Sequence, residues 1–92
     1  MADRQTFPKE LDGAKVLYYS GKGNFAPVCY PGGEIAHHVF YLAICKYEND
    51  EEYYIFHCDE NLEVVADDCV HDIEAYTRYM RTVDTVWYNK TK

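Results

Sequence analysis

Four histidines and four cysteines are the side chains best suited to metal or nucleophilic chemistry in this 92-residue chain. Zinc sites are typically marked by pairs such as Cys-x-x-Cys, because two ligands on one turn reduce the entropy cost of chelation. No Cys-x-x-Cys pair occurs here. On a strand, His57 and Cys58 point to opposite faces, whereas Cys69 and His71 are two residues apart and can converge. That pair still needs ligands from elsewhere, so we expect no metal site and no cofactor.

Nucleophilic and acid–base catalysis have little support in the same residues. Cys58 precedes an acidic turn and Cys69 lies among aspartates, and nearby negative charges oppose formation of a thiolate. Adjacent carboxylates such as Asp67 and Asp68 suit hydrolytic chemistry only within a cleft, which a small domain rarely encloses. We therefore expect that the protein is not an enzyme. A small metal- or cysteine-dependent enzyme is the second alternative.

Acidic residues are concentrated in the middle third of the chain. The net charge is −7, and residues 47–77 contain eleven Asp or Glu and no Lys or Arg. A field of one sign repels nucleic acid and anionic membranes and attracts basic protein surfaces. The plainer interpretation is that this charge only keeps a chain with ten tyrosines soluble. Tyrosines beside carboxylates favour a binding role, because Tyr combines rigid apolar contact with a hydroxyl.

The predicted partner-binding residues come from this acidic stretch. Carboxylates would steer a basic partner towards the surface, and an aromatic side chain would anchor it after contact. The predicted set is Asp50, Glu51, Glu52, Tyr53, Asp59, Glu60, Glu63, Asp67 and Asp68. This interpretation requires that the carboxylates gather on one accessible side, without being neutralised by the lysines and arginines of the two ends.

A single domain of residues 1–92 must position these side chains. Residues 1–13 are polar and are expected to form a loosely ordered lead-in. Residues 14–66 predict a β-meander, with strands at 14–20, 25–30, 37–47, 53–58 and 62–66. The loop at 21–24 is expected to close a hairpin between the first two strands, and Asp67 and Asp68 are expected to end the last strand.

The C-terminal third of the chain has the pattern of an amphipathic helix over residues 72–83, followed by a tail at 84–92. Ile73, Tyr76, Met80 and Val83 are spaced by three, four and three residues, which places them on one helical face. Asp72 is a favourable N-cap. The predicted fold class is α+β, an antiparallel four- or five-stranded β-meander with one C-terminal helix packed on a face.

The segment from Tyr53 to Val64, YYIFHCDENLEV, resembles a motif of small, largely uncharacterised bacterial and phage α+β proteins. In that family an aromatic strand ends in a Cys-Asp-Glu-Asn-Trp turn, and a short strand leads to a capped helix. The resemblance covers residues 41–80 and departs at Leu62, where the family has Trp. It implies a bacterial or phage origin and a meander followed by a helix. It carries no catalytic residue.

Charge, tyrosines and the lack of a catalytic motif together predict a non-catalytic acidic inhibitor that binds and blocks a basic protein surface. Because nucleases bind their substrates through basic surfaces, we expect an immunity protein that neutralises a bacterial nuclease-type toxin. The alternative is a phage-encoded anti-defence protein, an anti-CRISPR-like nucleic-acid mimic, which would use the same physics against another target.

Localisation and assembly are predicted from the rest of the pattern. No apolar run reaches about 18 residues, and the polar segment 1–6 lacks the apolar core of a secretory signal. We therefore expect a cytoplasmic protein that contacts neither membrane nor nucleic acid directly. The edge strand at 25–30, with Phe25 and Val28, leaves a homodimer open.

Overall fold

Residues 7–90 are described by the computed structural model, and they form eight strands and one helix. The strands are β1 (Glu10–Leu11), β2 (Ala14–Ser20), β3 (Phe25–Cys29), β4 (Ile35–Val39), β5 (Tyr41–Lys46), β6 (Tyr53–Cys58), β7 (Val64–Val70) and β8 (Trp87–Asn89), and the helix is α1 (Ile73–Thr82). The fold is α+β, as predicted, but the prediction of four or five strands is wrong.

Six strands form one antiparallel sheet, in the order β1-β2-β5-β6-β7, with β8 also paired to β2. Strands β5, β6 and β7 form a meander, which is only part of the five-stranded meander predicted over residues 14–66. Strands β1 and β8 both lie along the free edge of β2, because β1 pairs with its first residues and β8 with its last. Part of the predicted lead-in therefore contributes to the sheet: Leu11 lies in β1, and both Leu11 and Phe7 are buried.

The predicted hairpin between 14–20 and 25–30 is wrong. Strand β2 pairs with β5, while β3 and β4 form a separate two-stranded sheet. Among the described glycines, Gly13 and Gly33 have positive φ, and the glycines of the 21–24 loop do not. The glycine content of residues 21–24 suggested a tight hairpin turn, but the backbone of this loop does not form one.

The predicted strand 37–47 is interrupted at Phe40, where the chain changes its pairing partner. The N–H of Phe40 donates to the carbonyl of Cys58, and its carbonyl accepts from the N–H of Gly23. Before this residue β4 pairs with β3, and after it β5 lies between β2 and β6. Residues 39–45 form an unbroken apolar run across Phe40, so the sequence pattern alone does not reveal the break.

Strands β5 and β6 are apolar on both faces because each face is covered by a separate core. On one face, Ala43, Cys45 and Phe56 pack with the buried Phe7 and with other side chains. On the opposite face, Ile44 and Ile55 pack against the helix. Complete burial of a side chain such as Phe56 contributes about 1.5–3 kcal/mol to folding. Alternation of side chains along each strand therefore supplies both cores.

Strand β7 is the free edge of the large sheet, and it is longer than predicted. It continues through Asp67 and Asp68, which were expected to end it, as far as Val70. Both aspartates are exposed. An edge strand tolerates such residues, because one side of its backbone faces solvent and charged side chains protect it from pairing with other chains.

Helix α1 begins at the predicted N-cap. The Asp72 side chain accepts a hydrogen bond from the N–H of Ala75 at 2.7 Å. Tyr76 is buried against the rings of Tyr18 and Tyr53, whereas Ile73 is 57% exposed, so its predicted place on the packed face is wrong. Among the described residues, no helix has the length and apolar character needed to cross a membrane.

Ser20 provides a test of the pairing between β2 and β5. Its side chain is buried, and its Oγ accepts a hydrogen bond from the N–H of Leu42 at 2.9 Å. We expect Ser20→Ala to lower the free energy of unfolding by about 1–3 kcal/mol, because it leaves that buried N–H without an acceptor. Urea unfolding monitored by circular dichroism measures the change.

Thr82→Ala is the matched control for that measurement. The hydroxyl of Thr82 donates to the carbonyl of Tyr79 on the exposed end of the helix, so its loss leaves no buried donor. We expect this variant to stay within about 0.5 kcal/mol of the wild type. Equal unfolding midpoints for Ser20→Ala and the wild type would contradict the role of Ser20.

Candidate functional site

The predicted partner-binding residues all lie on the β6–β7 hairpin and the loop that precedes it. Residues 50–52 precede β6, residues 59–63 form the turn between β6 and β7, and residues 67 and 68 lie in β7. Strand β6 has six residues, so the first two groups are about 20 Å apart. The structure therefore brings the predicted acids to one hairpin along the edge of the sheet, and not to a single point.

Two acids of the predicted set make local hydrogen bonds that shape the ends of the hairpin. Asp50 accepts from the N–H of Glu52 and from the Tyr54 hydroxyl, each at 3.0 Å. These bonds, the backbone one first, lower the pKa of Asp50. At the other end, Asp59 accepts from the N–H groups of Asn61 and Glu63 at 2.9 and 3.0 Å. Asp50 and Asp59 therefore stabilise the loops at the two ends of the hairpin, whether or not a partner is bound.

Five of the six other acids are exposed and form what we call the acidic hairpin surface, whereas Glu52 is half-buried. The five are Glu51, Glu60, Glu63, Asp67 and Asp68. Asp67 and Asp68 are neighbours on β7, so their side chains point to opposite faces of the sheet, and the predicted acids do not all gather on one face. Within residues 7–90, no Lys or Arg lies within 4.0 Å of these carboxylates; the one ion-pair partner is His57, whose Nε2 is 3.3 Å from Oδ2 of Asp68. The carboxylates of this surface are therefore available to a cationic partner.

Lysines occupy the opposite edge of the sheet. Lys9, Lys15 and Lys90 line one depression beside β1, β2 and β8. Three strand spacings separate β2 from β7, which corresponds to roughly 14 Å. These three lysines therefore lie away from β7, whereas Lys22 lines the same cavity as Glu60.

Tyr53, the predicted aromatic anchor, packs inward more than the sequence indicated. Its ring centroid is 4.7 Å from that of Tyr76 in the helix, and the side chain is half-buried. A partner would therefore reach only part of this ring.

Glu52 belongs to a different arrangement from the exposed acids. Its Oε1 accepts a hydrogen bond from Sγ of Cys69, and its Oε2 lies 2.8 Å from Nδ1 of His71. Both contacts lower the pKa of Glu52, the one to Cys69 more strongly. The ligand atoms of these three residues lie within 4.8 Å of one another. We call this group the Glu52–Cys69–His71 cluster.

The register of β6 and β7 explains how the cluster forms. Tyr54 is opposite Cys69 and Tyr53 is opposite Val70, so continuing the ladder by one residue brings Glu52 level with His71. Alternation along each strand then places Glu52, Cys69 and His71 on the same face. Sequence reasoning identified Cys69 and His71 as convergent but missed Glu52, because the pairing register was unknown.

The cluster does not prepare Cys69 for nucleophilic attack. The hydrogen bond to Glu52, followed by the effect of burial, raises the pKa of the Cys69 thiol to about 11. A catalytic cysteine requires a positive neighbour that lowers its pKa. The expectation that acids oppose a thiolate at this position therefore agrees with the geometry.

An aromatic cavity of about 620 Å³ lies on the opposite side of the sheet from the helix. Phe7, Tyr19, Tyr41 and Tyr88 contribute rings to its wall, and Phe7 stacks on Tyr19 with 4.4 Å between centroids. This size is within the range of small-molecule sites. Among residues 7–90, one carboxylate lines it, that of Glu60, so the described lining lacks the pair of acids that glycoside hydrolysis uses.

Comparison of the chain with models of protein families, with curated proteins and with solved structures found no match to any of them. The resemblance of residues 41–80 to a bacterial and phage family therefore stays a prediction.

Thiol accessibility tests the arrangement of the four cysteines. Cys29 and Cys69 are exposed, whereas Cys45 and Cys58 are buried, and burial raises the pKa of each buried thiol to about 12. With a chromogenic disulfide reagent at neutral pH, we expect two thiols to react in the native protein and four after denaturation. Cys29→Ser should lower the native count to one. Reaction of three or more thiols in the folded wild type would contradict the burial of Cys45 and Cys58.

Proposed function

We propose that the protein is a non-catalytic inhibitor that binds and blocks a basic surface of another protein through the acidic hairpin surface. The observation that carries this proposal is the set of five exposed carboxylates along the β6–β7 hairpin, with no Lys or Arg partner among residues 7–90. Carboxylates that are already paired contribute little to a further encounter, whereas uncompensated ones attract a cationic surface.

Nucleic-acid-binding proteins are the partner class that this surface fits best. Their clefts carry lysines and arginines that neutralise phosphates, so a row of carboxylates competes for the same groups. The acids extend along a hairpin about 20 Å long, so they match an elongated basic cleft better than a single cationic point. A nuclease-type toxin, neutralised in the cytoplasm by this protein as its immunity partner, is the proposed target.

A charge-neutralising variant tests the surface. Extract of the cell that carries the gene is passed over the immobilised protein, and the captured protein is identified and purified. We then expect the triple variant Glu51→Gln, Asp67→Asn, Asp68→Asn to associate with it roughly tenfold more slowly than the wild type at low salt. All three side chains are exposed, so folding should be preserved. Surface plasmon resonance measures the rate, and nuclease assays of the captured protein measure inhibition.

The matched control removes the same number of negative charges elsewhere. Glu10, Glu34 and Asp84 are exposed acids outside the β6–β7 hairpin, so Glu10→Gln, Glu34→Gln, Asp84→Asn should leave the association rate close to that of the wild type. Equal slowing by both triple variants would indicate an effect of net charge and refute the surface. The proposed surface would also be refuted if the association rate did not depend on salt concentration. The same holds if binding of this protein left the nuclease activity of the captured protein unchanged.

A further inference from the structure

Three side chains of different chemistry converge at the end of β7, and their arrangement is that of a metal site. Cys69 and His71 come from one chain segment and Glu52 from the neighbouring one, with all ligand atoms within 4.8 Å. We propose that the Glu52–Cys69–His71 cluster binds a divalent transition metal ion, with zinc as the preferred ion. The site requires no partner protein, so it is independent of the docking surface proposed above.

The choice of ion follows from the donor atoms. Thiolate and imidazole are soft and borderline ligands that select zinc and its neighbours in the transition series. Magnesium and calcium ions require several oxygen ligands, and this cluster offers one carboxylate, so it does not suit them. Three protein ligands leave a fourth position of a tetrahedral zinc ion for water or for a group of a bound molecule.

The contacts fit the replacement of protons by one ion. The thiol proton of Cys69 lies in its 2.8 Å contact with Glu52, and Nδ1 of His71 lies 2.8 Å from the other carboxylate oxygen. When zinc binds, the Cys69 proton and any proton on Nδ1 of His71 leave to solvent as the zinc–sulfur and zinc–nitrogen bonds form, and the imidazole keeps one proton on Nε2. Bonds of about 2.0–2.3 Å place tetrahedral ligand atoms roughly 3.4–3.6 Å apart.

That expansion requires only small side-chain movements. Cys69 and His71 are exposed and Glu52 is half-buried, so no core packing opposes them. The backbone around the cluster is held more firmly. The β6–β7 ladder fixes Cys69 on one side, the Asp72 cap begins the helix immediately after His71, and Asp50 holds the N–H of Glu52.

Asp50 also supplies a supporting layer to the site. Its second oxygen accepts from the hydroxyl of Tyr54, which lies opposite Cys69 in the ladder. The cluster therefore lies on backbone that is held in place by the β6–β7 ladder, the Asp50 hydrogen bonds and the helix cap.

Titration of the metal-free, tag-free protein with ZnCl₂ or CoCl₂ tests the site. We expect one equivalent of Zn²⁺ to bind in calorimetry, and one equivalent of Co²⁺ to give the near-ultraviolet charge-transfer absorption of a cobalt–thiolate bond. Cys69→Ser should abolish that absorption. Cys69→Ser and His71→Ala should each weaken Zn²⁺ binding by more than about 100-fold, which exceeds the effect of losing a residue that only supports a ligand. Glu52→Gln should weaken Zn²⁺ binding at least tenfold.

Two control variants remove the same residue types from other exposed or half-buried positions. Cys29 is exposed, and His57 faces Asp68 in the middle of the hairpin, so Cys29→Ser and His57→Ala should retain one equivalent of metal and the cobalt–thiolate absorption. Circular dichroism confirms that each variant is folded. The proposal would be overturned if the wild type did not bind Zn²⁺ at micromolar concentration, or if Cys69→Ser and Cys29→Ser bound it equally well. The cluster would then only stabilise the end of β7 through its hydrogen bonds.

Discussion

The pairing register between β6 and β7 is the constraint on which the acidic hairpin surface and the Glu52–Cys69–His71 cluster both depend. Tyr53 lies opposite Val70 and Phe56 opposite Asp67. A slip of one residue would turn each β7 side chain to the other face of the sheet, so Cys69 would leave Glu52. Packing of Val70, at the end of β7, against the core of Ile44, Ile55 and Tyr76 opposes such a slip.

The position of β7 at the edge of the sheet gives its aspartates a second consequence. An exposed edge presents unpaired backbone groups to any other strand, and charged side chains reduce the risk of such pairing. Asp67 and Asp68 therefore protect this edge from strand pairing whether or not a partner binds there. Solubility and recognition are not competing explanations at these positions, because the same uncompensated charge that repels a second copy attracts a basic surface.

Local patterns in the sequence predicted those features that are themselves local. The cap at Asp72 and the strands at 14–20 and 53–58 follow from side-chain chemistry and strand propensity, and the structure contains them. Choice of strand partner is different, because it depends on contacts between residues far apart in the chain. The break at Phe40 and the pairing of β2 with β5 were missed for that reason.

The candidate site shows the same division between local and long-range information. The acids of the hairpin are visible as a charge run, but the sequence does not reveal that Asp50 and Asp59 are engaged in turns. Participation of Glu52 in the cluster depends on a register that no periodicity encodes. Continuation of β7 through Asp67 and Asp68 also contradicts strand propensity, and edge solvation explains why the strand tolerates them.

Lys9, Lys15 and Lys90 beside β2 and the aspartates of β7 contribute opposite charges at the two margins of the sheet. In the field of a cationic body, these opposite charges would experience a torque that turns the β7 margin towards that body. Mobile ions cancel the torque beyond a Debye length of about 8 Å at physiological ionic strength. Orientation is therefore selected only within the last nanometre of approach, where rotation is still free and the pairing of side chains has not begun.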